Sequence, residues 1–65
     1  MSKLSDLIIM HPEVRSFEEL LDLVANFGET GGRFLEFDLK PDYRDTPRKN
    51  WELKLETAFY WRRPK

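Results

Sequence analysis

The sequence predicts an α+β domain of order ααββ, two N-terminal helices packed on a C-terminal antiparallel β-hairpin. Three observations carry this expectation. Ser16 with Glu19 three residues later has the form of a capping box and opens an apolar stripe at helical spacing. After Gly31 and Gly32 the apolar period changes from helical to two. Two alternating runs, 34–40 and 51–61, then flank a stretch of charges and turn formers, 41–50.

The first periodic stretch is Leu4, Leu7, Ile8 and Met10, with Ser2 or Ser5 as candidate N-caps. His11-Pro12 ends it, because the residue before proline is pushed out of the helical region. A helix of about two turns is expected, with a strand through Leu7–Met10 as the alternative reading of the same short apolar run. The second helix places Phe17, Leu20, Leu21, Val24 and Phe27 on one stripe, with Val14 as a staple residue against Leu20. Glu18, Glu19 and Asp22 lie near its start, where the helix dipole favours negative charge. Gly28 is the expected stop, since it tolerates a positive φ.

In the first strand Leu35, Phe37 and Leu39 point one way, and Phe34, Glu36, Asp38 and Lys40 the other, until Pro41 ends it. The segment 41–50 reads as an exposed, mobile loop. Trp51, Leu53, Leu55, Thr57, Phe59 and Trp61 then alternate with Glu52, Lys54, Glu56, Ala58 and Tyr60 as a longer second strand. The unequal strand lengths leave the Phe59–Trp61 end overhanging. That free edge is expected to recruit a strand from a second copy, enlarging the sheet by dimerisation, or from another protein.

A chain of 65 residues has room for one domain and one core. A domain of this size buries only roughly 60% of the surface its unfolded chain exposes. It contains no Cys, which excludes disulfides and thiolate zinc sites, and its single His cannot build a metal site alone. No cofactor is therefore expected, and self-association as a homodimer is one means of completing the core. Nine aromatic residues favour a folded chain over a disordered one. The longest apolar run is too short to span a bilayer and lacks a signal-peptide flank, so a cytoplasmic location without membrane contact is expected. Residues 1–32 carry two basic and six acidic side chains, and residues 33–65 carry nine and six. An acidic helical side and a mildly basic hairpin side follow.

Pro41-Asp42 followed by Glu52-Leu53-Lys54 resembles the Pro-Asp…(Asp/Glu)-x-Lys signature of the restriction-endonuclease-like nucleases. That resemblance implies a divalent cation held by Asp42 and Glu52, with Lys54 positioning the attacking water. The family's larger sheet, flanked by helices on both sides, does not fit in 65 residues. Alternating charge on the solvent face of a strand accounts for Glu52, Lys54 and Glu56 without catalysis. His11 has no Ser or Cys partner at a recognisable spacing and reads as a helix-end histidine. The glycines precede a strand, so they form no phosphate loop. The expectation is a protein that is not an enzyme.

The strongest binding signal joins Tyr60, Trp61, Arg62 and Arg63 near the end of the chain to Arg44, Arg48 and Lys49 in the loop. Trp, Tyr and Arg dominate protein interface hot spots. The same interleaving of aromatics and cations stacks on bases and neutralises phosphates. Balanced total charge favours the protein partner, as phosphate binders are strongly basic. The acidic residues Glu13, Glu18, Glu19, Asp22 and Glu29 read as a solvated face. The expected function is a small non-enzymatic adaptor, inhibitor or regulator of the kind common in bacteria and their viruses. A nucleic-acid-binding accessory protein is the alternative.

Overall fold

A computed structural model describes residues 2–30 and 34–60. Its elements are β1 (Ser2–Lys3), α1 (Leu4–Met10), α2 (Phe17–Glu29), β2 (Leu35–Glu36) and α3 (Trp51–Tyr60). The two short strands pair in parallel, Ser2 opposite Leu35 and Lys3 opposite Glu36. The C-terminal antiparallel hairpin is not formed, and the fold is a helix-rich mixture of three helices and this one small parallel pair. Phe59 and Tyr60, expected in an overhanging strand end, are helical, and Trp61 lies outside the described residues.

The reason lies in residues 51–60. Trp51, Leu55 and Phe59 are spaced by four, which satisfies both a period of two and a helical stripe. The intervening Glu52, Leu53, Lys54, Glu56 and Ala58 are strong helix formers. As a helix the segment buries Leu55 and Phe59, half-buries Trp51 and Ala58, and leaves Leu53 60% exposed. The same change shortens the first expected strand. Among the described residues it pairs with β1 alone, and that ladder ends where α1 begins at Leu4. Alternation survives locally, with Leu35 buried, Phe37 half-buried and Phe34 exposed.

Residues Leu7–Met10 are helical, as the favoured reading of that run expects. The N-cap of α1 is Lys3, whose side chain makes no capping bond, so neither Ser2 nor Ser5 takes that place. Helix α2 carries the expected cap: the Ser16 hydroxyl accepts the Glu19 amide at 3.0 Å. Glu19 reaches back to the Arg15 amide at 2.8 Å, closing the box one residue before the cap. Gly28 does not end the helix. It is buried inside α2, and the helix is capped at Thr30, whose hydroxyl donates to the Asn26 carbonyl at 3.0 Å.

The core consists of Leu4, Leu7, Phe17, Leu20, Val24, Leu35, Leu55 and Phe59. Packing of α2 on α3 is the most extensive contact between elements. Near the C-terminal ends of both helices the rings of Phe27 and Phe59 stack with centroids 6.0 Å apart. Leu35 brings β2 to the same core, and Val14 packs against its edge. Among the described residues no buried polar side-chain atom lacks a partner.

Candidate interaction surface

The connection from β2 to α3, expected from its composition to be an exposed, mobile loop, is largely exposed and is tied to the rest of the fold at several points. Pro41 is buried, and Phe37 and Tyr43 pack against the core. A tight turn closes reciprocally, the Tyr43 amide donating to the Thr46 hydroxyl and the Thr46 amide to the Tyr43 carbonyl, at 3.0 and 3.1 Å. Burial and the neighbouring Glu19 carboxylate push the Tyr43 phenol above its ordinary pKa. Two aspartates of this connection cap helices they do not belong to. Asp38 accepts the Ser5 amide at 3.1 Å and the Ser5 hydroxyl at 2.6 Å, at the start of α1. Asp45 accepts the Phe17 amide at 2.6 Å and the Glu18 amide at 3.2 Å, at the start of α2. These bonds favour the charged carboxylates. The Ser5 hydroxyl and amide hold Asp38 below the usual carboxylate range, and the Phe17 amide does the same for Asp45.

The anchored connection fixes where the cations sit. Arg44 is exposed in the turn around Tyr43–Thr46, and Arg48 and Lys49 are exposed just before α3. Asn50 turns the chain into α3 with a φ of 65°, and its carbonyl accepts the Lys54 amide at 3.0 Å. Arg48 and Lys49 line one shallow cleft of about 340 Å³ with Trp51, Glu52, Leu53 and Glu56. Two cations face two carboxylates there, so the cleft has no strong net potential. Tyr60 sits at the opposite end of α3, 57% exposed, its ring edge-on to Phe59 with centroids 4.8 Å apart. At ~1.5 Å per residue the helix separates Tyr60 from Arg48 and Lys49 by roughly 15 Å. The structure therefore brings Arg48 and Lys49 together and keeps Tyr60 apart from them. Trp61, Arg62 and Arg63 lie outside the described residues.

Helical geometry also dismantles the nuclease-like pattern. Glu52 and Lys54 share a face only on a strand; two positions along a helix are about 200° apart. Asp42 lies in the connection. No cluster of three metal-ligating side chains occurs among the described residues. His11 does cap the C-terminus of α1, and its Nδ1 lies 2.9 Å from Glu13 Oε2. The His11 hydrogen bond holds Glu13 below its ordinary pKa. This local pair adds no third group for chemistry.

Sequence reasoning missed the apolar part of the surface. Ile9 and Met10, at the end of α1, are 75% and 72% exposed. Their consecutive placement is the available signal, because a two-turn helix buries one side and at most one of two such neighbours. No helix among the described residues is long and apolar enough to cross a membrane. Compared with known protein families, with curated proteins and with solved structures, the chain finds no match in any of the three.

Proposed function

We propose that this protein is a non-enzymatic, cytoplasmic interaction module, an adaptor, inhibitor or regulator that works by binding another protein chain. The observation that carries the proposal is the apolar surface outside the core: Ile9 and Met10 at the end of α1 and Leu53 on α3. Exposed apolar groups rimmed by polar ones suit protein contact better than phosphate contact. Arg48 and Lys49 supply a charged rim beside Leu53, and Arg44 adds a further exposed cation. Tyr60 at the other end of α3 is a candidate anchor together with Trp61, Arg62 and Arg63, which follow it in the sequence. A second copy of the chain is one partner that such a surface would accept.

The test combines solution mass at high micromolar concentration with affinity capture from host extract after nuclease digestion. Binding of a defined protein, or of a second copy, is expected to weaken at least tenfold in Met10→Lys or Leu53→Lys, with unchanged circular dichroism. Tight binding to single- or double-stranded nucleic acid that falls steeply with salt would instead establish the nucleic-acid reading.

A further inference from the structure

We propose that Asp38 is a proton-sensitive latch that lets the β1–α1 arm open separately from the α2–α3 pair. The inference does not rest on the partner-binding reading. It starts from an asymmetry in how the two helix starts are held. Helix α2 has its own capping residue, Ser16, in addition to Asp45. Helix α1 has none of its own, because Lys3 caps nothing with its side chain. Its side-chain anchor is the pair of bonds from Ser5 to the carboxylate of Asp38, 33 residues away.

The packing has the same asymmetry. Helix α2 lies along α3 over an extended contact, whereas the main element contacts of α1 and β1 are with each other and with β2. The parallel pair holding the arm is only two residues long on each strand. Leu4 and Leu7 still seat the arm on the core, so release is a local opening and not detachment at neutral pH. Opening would uncover Leu4, Leu7 and Leu35, apolar surface that is hidden in the closed form.

The charged groups around the latch set the direction of the response. Lys3 of β1 favours the Asp38 carboxylate. The other charged groups on the elements that meet here are Asp6 in the first turn of α1, Glu36 on β2 and Lys40 on the same segment as Asp38. Protonating Asp38 removes the acceptor charge from both Ser5 bonds, so the closed arm is favoured while the carboxylate is ionised and loosens as pH falls through its folded value.

Amide NMR of the intact chain tests this. The Ser5 amide proton is expected to titrate with a midpoint below the ordinary carboxylate range. Over that same range the protection factors of Ser5–Ile8 should fall roughly fivefold or more, and further than those of Leu20–Phe27, because α2 keeps its Ser16 cap when Asp45 is also protonated. Asp38→Ala should lower protection in α1 by a similar factor at neutral pH and remove its acid dependence. Should that variant fail to fold, the titration of the unmodified chain decides. A Ser5 amide that does not follow a low-pH titration, or α1 and α2 losing protection together, would overturn the latch.

Discussion

Asp45 shows how much one exposed side chain does in a domain this small. Its two oxygens serve two of the four amides that every helix start leaves without an intrahelical partner. The folded carboxyl lies below its ordinary value of 3.8, through the Phe17 amide first and the Glu18 amide second. A group with a depressed folded pKa contributes stability that is full above the unfolded value and lost as pH falls through the folded one. Asp45→Ala is therefore expected to lower the Tm by several degrees at neutral pH. The gap to the unmodified chain should close as pH falls through the lowered folded pKa of Asp45. A gap that stays constant through the acid range in differential scanning calorimetry would mean that the carboxylate charge is not what matters. Asn50 is the other residue with a special role, since its φ of 65° is a conformation that Asn and Gly tolerate and β-branched residues do not. Asn50→Gly should leave stability nearly unchanged, whereas Asn50→Val should cost about 1–2 kcal/mol in urea unfolding.

At the scale of elements, residues 51–60 are where two foldings of one sequence make opposite demands. On a hairpin strand Leu53 and Leu55 would share the buried face, and truncating either would be costly. On α3 they are about 200° apart. Leu55→Ala is expected to cost about 2–5 kcal/mol, and Leu53→Ala to fall within about 0.5 kcal/mol of the unmodified chain. Comparable losses in equilibrium unfolding would argue for the strand. Helix α2 was legible because its information is local: cap, box and stripe all lie within residues 16–27. Helix α1 was legible in type but not in its cap, which arrives from Asp38. The hairpin expectation failed because Trp51, Leu55 and Phe59 fit both periods, and only the helix-forming residues between them tip the balance. Of the residues read as a joint site, Tyr60 stands at the opposite end of α3 from Arg48 and Lys49, and Trp61, Arg62 and Arg63 lie outside the described residues. Trans-capping by Asp38 and Asp45 has no local signature at all, as the partners are 33, 28 and 27 residues distant.

At the scale of the whole molecule, the distribution of apolar groups decides how far the fold can be disturbed. Among the described residues eight large apolar side chains are buried, while Ile9, Met10, Phe34, Leu39, Leu53 and Tyr60 remain substantially exposed. A chain of this length is expected to have a net stability of about 3–10 kcal/mol. Phe59 occupies the point where that margin is most vulnerable. It is 2% exposed, it stacks on Phe27 across the α2–α3 contact, and its other neighbour ring is Tyr60. Truncating a buried Phe to Ala costs about 3–5 kcal/mol through lost transfer energy and the cavity left behind. That is comparable to the whole margin, and no disulfide limits the unfolded chain. Phe59→Ala is therefore expected to lose its near-ultraviolet circular dichroism and its cooperative thermal transition, while some far-ultraviolet helical signal remains. A cooperative transition displaced by only a few degrees would mean that the α2–α3 packing is not what holds this fold together.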